Sequence, residues 1–144
     1  MQHDARPVVP VRAMKLVHSA LTLALVITTS ALVVARYLTG ALDAAYPPAI
    51  GHAIGAAGAV LAFIALGVIR RRIPERGRHQ DADSYWNQGS TQRLALVAWS
   101  LAEGGGMLSA IGYFLTGSNA AFTALLFSVV ALLWLRPARL EGEA

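Results

Sequence analysis

The chain has 144 residues, of which 56% are hydrophobic and 14% are charged, and its formal net charge is +4. A soluble domain carries about 25% charged residues, so this composition excludes an ordinary soluble domain. The absence of cysteine excludes disulfides, thiolate metal sites, iron–sulfur clusters and covalently attached c-type haem.

Four apolar runs fill most of the chain, at residues 14–38, 50–69, 94–115 and 120–135. A helix needs about 20 mostly apolar residues to cross the hydrocarbon core, where only helices and closed barrels satisfy the backbone. None of the runs alternates between apolar and polar residues, so we predict helices. We expect an all-α, integral membrane four-helix bundle forming one domain over residues 1–144, with a loop at 70–93.

The first run follows a basic segment with Arg6, Arg12 and Lys15, as a signal peptide would. The apolar core of a signal peptide is about 7–15 residues long, and this run is longer. We therefore interpret it as a retained first span.

The second run begins with small residues at helical spacing, namely Gly51, Gly55 and Gly58. Small faces let transmembrane helices approach closely. We predict that these glycines form a helix-packing face, and the sequence does not indicate which helix they contact.

The loop after the second run is basic first and aromatic later, at Tyr85 and Trp86. One interpretation is a solvated loop with interfacial aromatic anchors. The other is a surface that docks anionic lipid or a partner, since each basic residue contributes about 1 kcal/mol near a charged membrane. The docking residues would be Arg70, Arg71, Arg72, Arg76 and Arg78.

The third run carries an acid, Glu103, near its middle. The next three residues, Gly104, Gly105 and Gly106, are predicted to be further helix-packing positions. A carboxylate at that depth costs about 2.5–3.5 kcal/mol on insertion scales and normally faces a bundle interior, a cavity or a partner. Glu103 is therefore either a buried polar contact or an ion-binding group. Its candidate hydrogen-bond partners are Thr28, Thr29, Ser30 and Ser128.

The basic residues predict the orientation of the chain. Eleven of the twelve Lys and Arg residues fall on one side of a four-span topology, and only Arg36 falls on the other. The positive-inside rule then places the N-terminus, the C-terminus and the loop in the cytoplasm. Because the positive charge follows this pattern, we predict no nucleic-acid partner.

The two halves of the chain share a short pattern. An aromatic residue followed by Leu-Thr-Gly closes the first run at residues 37–40 and the third run at residues 114–117. This favours two like-oriented helical hairpins produced by duplication. Convergence is the alternative, because glycine commonly follows the end of a helix.

Two histidines lie within apolar runs and are candidate ligands of a haem or another pigment. His18 lies in the first turns of the first run, and His52 lies at the start of the second. The helical rise separates them by roughly 25 Å along the membrane normal. They cannot hold one haem jointly, so each would be a single-histidine site or an interfacial residue.

Residues 95–117, in which Glu103 precedes three glycines and a closing Leu-Thr-Gly, resemble the third helix of a group of small four-helix bacterial membrane proteins of unassigned function. The resemblance implies a multi-pass protein of the bacterial inner membrane and no particular activity. A more distant likeness is to rotor-ring proteolipids, in which a mid-membrane carboxylate binds H⁺ or Na⁺. Glu103 would be that carboxylate.

We therefore expect a non-enzymatic subunit or accessory scaffold protein of a larger membrane complex, for example an energy-transducing complex. Its partners would be membrane lipids and other integral membrane subunits. The alternative is proteolipid-like H⁺ or cation translocation through Glu103, and a third hypothesis is a pigment or haem carrier. Glu103 has no nucleophile or metal ligand at a useful spacing, so we predict no enzymatic activity, metal site or cofactor.

Overall fold

The computed structural model describes residues 11–39 and 46–142. Within these ranges every regular element is a helix. The helices are α1 Val11–Thr39, α2 Pro48–Ile64, α3 Arg70–Arg72, α4 Ala82–Trp86, α5 Gly89–Thr116, α6 Asn119–Trp134 and α7 Pro137–Leu140, and a π-helical segment, Ala65–Ile69, joins α2 to α3.

Three of these helical stretches are long and apolar enough to cross a membrane: Val11–Thr39, Pro48–Arg72 and Gly89–Thr116. The prediction of a membrane protein is confirmed at this level. The remaining apolar helix, α6, has 16 residues and is about 24 Å long at the α-helical rise. It is therefore shorter than the other three.

The helices extend beyond the apolar runs that predicted them. α5 begins at Gly89 rather than at residue 94, and Thr91 in its first turn is fully buried. The predicted loop 70–93 is correspondingly shorter, because α3 takes its first three residues and α5 its last five. Hydropathy marks only the apolar part of a helix, whereas the backbone hydrogen bonds continue through polar residues.

Helices α2, α5 and α6 meet through residues with very small side chains. A methyl group added at Gly58 would collide with the carbonyl oxygen of Gly105 and the hydroxyl of Ser109. A methyl group at Gly55 would lie 2.7 Å from the Cα of Ala121. These backbones can approach so closely only because the side chains are absent.

A two-residue turn connects α5 to α6. Gly117 follows α5 with a φ of 65° and donates its N–H to the carbonyl of Tyr113 at 2.7 Å, which is the left-handed ending that glycine favours. The hydroxyl of Ser118 accepts the N–H of Ala121 at 3.4 Å and so caps the start of α6. The turn makes α5 and α6 antiparallel neighbours.

Helix α1 is the least enclosed of the long helices. Only 17% of its most apolar window is buried, against 44% for α5. Its buried side chains are Met14, His18, Leu25 and Thr29, which lie on one stripe at helical spacing. Most of the apolar surface of α1 is therefore left for lipid or for another protein.

The duplication hypothesis can be examined at the ends of two helices. Thr39 donates its hydroxyl to the carbonyl of Ala35 at 2.8 Å, and Thr116 does the same to Gly112 at 2.8 Å. The turn after α1 belongs to residues 40–45, including Gly40 and Asp43, which lie outside the described residues. The relation between the two hairpins stays a prediction.

Candidate functional site

Glu103 lies at the middle of α5, fourteen residues after Gly89 and thirteen before Thr116. It is partly exposed. Residues three and four apart share one side of a helix. Of the four neighbours of Glu103 at these spacings, Trp99 and Gly106 face α1, whereas Ser100 is exposed. Glu103 is therefore located at the edge of the seam between α5 and α1.

The expected hydrogen bonds of Glu103 within the bundle are not formed. Among the described residues no hydrogen bond or ion pair reaches its carboxyl group. Thr29 donates instead to the carbonyl of Leu25 at 2.7 Å, and Ser128 donates to the carbonyl of Ala124 at 3.1 Å. Both hydroxyls bond within their own helices, so neither is a partner of the carboxyl.

The three glycines after Glu103 have different surroundings. A methyl group at Gly105 would lie 2.5 Å from the carbonyl oxygen of Gly58, and one at Gly106 would lie 2.8 Å from Leu25. A methyl group at Gly104 would meet nothing within 4 Å. Gly105 and Gly106 therefore contact neighbouring helices, whereas Gly104 opens outward.

Gly104 belongs to an outward stripe of α5. At spacings of three and four residues the stripe contains three exposed apolar side chains and one exposed hydroxyl: Val97, Ser100, Leu108 and Ile111. We call this surface, together with Glu103 at its edge, the Glu103 face. It combines an unpartnered carboxyl, a hydroxyl and a position without a side chain on an apolar helix.

A second polar region lies at one end of the molecule, where the first turns of α1, the short helix α4 and the last turn of α6 meet. We call this end the loop end. Pro137 cannot continue α6, so the last carbonyls of α6 need donors from elsewhere. His18 Nε2 lies 2.9 Å from the carbonyl oxygen of Leu132, and Trp99 Nε1 donates to the carbonyl of Leu135 at 2.8 Å. These two side chains thereby fix α1 and α5 to the end of α6.

Aromatic rings extend this arrangement towards the loop. The rings of His18 and Trp99 are 5.0 Å apart in an edge-to-face geometry, and Trp86 lies 6.0 Å from Trp99. Tyr85 completes the row at 5.2 Å from Trp86. Tyr85, Trp86 and Trp99 are fully buried, so all three are core residues of the loop end, and Tyr85 and Trp86 are not the interfacial anchors of the first interpretation of the loop.

A buried carboxylate, Glu141, holds the C-terminal segment to the loop. Glu141 Oε1 accepts the N–H of Trp86 at 2.8 Å, and Oε2 lies 3.6 Å from the ammonium of Lys15. The Glu141 side chain is 1% exposed and the Lys15 side chain 48%. The pair therefore joins α1, α4 and the residue after α7 at one point.

The short helix α4 begins with a side-chain cap. Asp81 accepts hydrogen bonds from the hydroxyl and the backbone N–H of Ser84, both at 2.7 Å, and these bonds lower the pKa of the Asp81 carboxyl. Tyr85 donates its hydroxyl to the carbonyl of Pro74 at 3.0 Å. Burial raises the pKa of Tyr85, the charge of Glu141 adds to the rise, and the charge of Arg70 opposes it.

The two histidines occupy different environments. His18 is buried, and its Nε2 is engaged by Leu132. His52 is exposed in α2 and lines a cavity of about 520 Å³ between α2 and α6. Within the described residues, no three His, Asp or Glu side chains are grouped so that they could hold a metal ion.

The predicted arginine surface is spread over α3 and the loop that follows it. Arg71, Arg72 and Arg78 are exposed, whereas Arg70 and Arg76 are partly buried. Arg76 donates to the carbonyl of Gln80 at 2.7 Å, so it stabilises the loop itself. The three exposed side chains remain accessible to lipid or to a partner.

Two residues make structural contacts that the sequence did not predict. Glu141 was not singled out because it stands in a short polar tail, and nothing in its neighbourhood signals burial. Arg36 donates to the carbonyl of Phe114 at 2.7 Å and lies over the ring of Tyr113, two contacts that its position near the end of the first run did not indicate. Only the packing of α1 along α5, which runs in the same direction, brings these groups together.

Comparison with protein-family models, with curated proteins and with solved structures finds no match to this chain.

Proposed function

We propose that this chain is a non-enzymatic, multi-pass subunit or accessory protein of a larger assembly in a bacterial inner membrane. In this proposal the Glu103 face contacts a transmembrane helix of another subunit. Both termini and the loop end are cytoplasmic, in keeping with the basic residues that flank the helices at that end.

The observation that carries the proposal is the unpartnered carboxyl of Glu103 at the middle of α5. A carboxyl group at that depth costs about 2.5–3.5 kcal/mol unless it faces a cavity, a bundle interior or a partner. Among the described residues nothing bonds to it. A helix from another polypeptide that brings a hydroxyl, an amide or a basic group would remove this cost.

The surroundings of Glu103 fit a helix as the occupant. Gly104 has open space beside it, and a position without a side chain lets two transmembrane backbones approach closely. Ser100 is exposed one turn away and adds a hydroxyl that can bond across such a contact. The apolar side chains of the same stripe would pack around this polar centre.

The first experiment is the mass of the intact particle, extracted from native membranes in a mild detergent. We expect a complex of fixed stoichiometry that contains other polypeptides. Glu103→Gln retains a polar group and should largely keep the complex, whereas Glu103→Leu should release this subunit. The matched control is Thr123→Leu on α6, because Thr123 is exposed and bonds only to Asn119 of its own helix.

If Glu103→Leu and Thr123→Leu both release this subunit from the complex, the loss of any polar side chain destabilises the chain. That result would contradict a specific contact at Glu103. A lone monomer from wild-type membranes would also contradict the proposal. A ring of identical copies would favour the second candidate function instead.

The second candidate is H⁺ or cation translocation by a proteolipid-like mechanism. It is favoured by the partly exposed position of Glu103, since a carboxyl at a protein–lipid boundary can exchange its proton with a neighbouring subunit. Glu103→Gln separates the two candidates, because the amide can keep a hydrogen bond but cannot carry a proton. Loss of ion flux in vesicles with an unchanged particle mass would favour translocation.

A pigment or haem carrier is the third candidate, and the cavity beside His52 is what favours it. It requires visible absorbance from the purified particle that disappears in His52→Ala. A colourless particle would remove this candidate.

A further inference from the structure

The seam between α1 and α6 ends in a basic cavity at the loop end. The cavity has a volume of about 280 Å³ and is lined by Lys15, His18, Ser19, Arg136, Pro137 and Ala138. Three of these residues come from α1 and three from the corner where α6 gives way to α7. It is distinct from the Glu103 face and from the arginines of the loop.

The charges at this cavity favour an anion. Arg136 is exposed, and Lys15 is 48% exposed although it pairs with Glu141. An ammonium group has three donors, so Lys15 can hold Glu141 behind it and still donate into the cavity. The Glu141 carboxylate itself is buried behind the lysine. The guanidinium carbon of the nearby Arg139 lies 3.7 Å from the ring centre of Trp134.

Neutral polar groups complete the lining. The hydroxyl of Ser19 is exposed on the same side of α1. His18 contributes its ring, whose Nε2 is engaged by Leu132. An adjoining cavity of about 310 Å³ continues along α1 beside Arg12, Lys15, Leu16 and Ser19, so a third basic side chain lies next to the same site.

An apolar groove lies further along the same seam. It has a volume of about 410 Å³ and is formed by residues 26–34 of α1 and 122–129 of α6. At the α-helical rise its near end is about 10 Å from Ser19, and each half of the hydrocarbon core is about 15 Å thick. A molecule with an anionic head at the cavity and an apolar tail along the seam would therefore reach the groove.

We propose that this seam binds one anionic phospholipid, with its phosphate held by Lys15 and Arg136 and one acyl chain lying in the groove between α1 and α6. The occupant is a lipid rather than a free phosphate because the basic cavity and the apolar groove are aligned on one seam. The proposal does not depend on the Glu103 contact.

The test is native mass spectrometry of the full chain, purified in a mild detergent and supplied with phosphatidylglycerol or with phosphatidylcholine of the same acyl chains. We expect preferential retention of phosphatidylglycerol. Arg136→Gln should reduce that retention about fivefold, which corresponds to about 1 kcal/mol for one basic residue near an anionic surface. Ser19→Phe, which fills the cavity without changing any charge, should reduce it at least as much.

The matched control is Arg72→Gln, which removes an exposed arginine from α3, outside the cavity. Its retention of phosphatidylglycerol should change less than twofold. Excess inorganic phosphate should leave the bound lipid in place, and its displacement by phosphate would assign the site to a free anion and overturn the proposal. Equal retention of the two lipids, or equal loss in Arg72→Gln and Arg136→Gln, would overturn it as well.

Discussion

Helix α5 holds its neighbours α2 and α1 by different means. Against α2 it presents backbone to backbone, with Gly58 and Gly105 in direct contact. Against α1 it presents Trp99 to His18 and Gly106 to the side chain of Leu25. Helix α1 adds polar bonds near both of its ends, through His18 to α6 and through Arg36 to α5.

The difference follows from the solvent. Lipid tails are as apolar as leucine, so burying apolar side chains between membrane helices gains little over leaving them in lipid. Close backbone packing and hydrogen bonds remain as the sources of association. α2 uses the first and α1 relies on the second, so the long apolar surface of α1 does not by itself attach it to the bundle.

The largest effect should come from the glycine contact. Gly105→Ala places a methyl group 2.5 Å from the carbonyl oxygen of Gly58, and backbone cannot yield as a flexible side chain would. Overpacking typically costs about 1–3 kcal/mol, and we expect the upper end of that range in the free energy of unfolding. Unfolding in a detergent titration, followed by tryptophan fluorescence, measures it.

Gly104→Ala is the control, because the space beside Gly104 is open. Alanine favours helix over glycine by about 1 kcal/mol, so this variant should be unchanged or slightly more stable. Equal destabilisation of the two variants would contradict the close α2–α5 contact.

The next effect should come from Arg36. Arg36→Leu removes the charged donor from the carbonyl of Phe114, a type of bond that contributes about 1.5–3 kcal/mol. Arg36 is partly exposed, so we expect about 1.5 kcal/mol. The distribution of distances between spin labels on α1 and α5 at this end should also broaden. In Arg71→Leu, which changes an exposed arginine of α3, those distances should stay narrow.

His18→Phe should have a smaller effect at the opposite end of α1. Phenylalanine keeps a ring against Trp99 but cannot bond to the carbonyl of Leu132. Side-chain hydrogen bonds between membrane helices contribute about 0.6 kcal/mol on average, and we expect a loss of that size. Thr22→Val is the control, since Thr22 bonds only to the backbone of α1. An equal loss in the control would show that the α1–α6 bond contributes nothing.

The smallest effect is a pH dependence at the loop end. The pKa of Tyr85 is raised by burial in the folded chain, so folding favours the protonated phenol. The corresponding stability is complete below the unfolded pKa of about 10 and is lost as the pH rises through the folded pKa. Tyr85→Phe should lose this part of the alkaline destabilisation, and the ultraviolet absorbance of tyrosinate follows the titration. If Tyr85→Phe loses stability at high pH as the wild type does, Tyr85 does not cause the alkaline destabilisation.

The apolar runs predicted the long helices because hydropathy measures directly what the membrane selects. The same runs misplaced the start of α5 by five residues, since polar residues such as Thr91 extend the helix outside the apolar segment. Sequence also singled out Glu103 as an acid within a span, and two of its candidate hydrogen-bond partners, Thr29 and Ser128, bond within their own helices instead.

The sequence by itself determined that this protein is helical and apolar enough to enter a membrane, because composition and run length act along the chain. The tertiary structure decided which polar groups meet. Arg36 contacts residues 78 positions away, and Trp86 reaches Glu141 across 55. Hydrogen bonds depend on distances of about 3 Å and on direction, and only the packing of the helices sets these for residues so far apart in the chain.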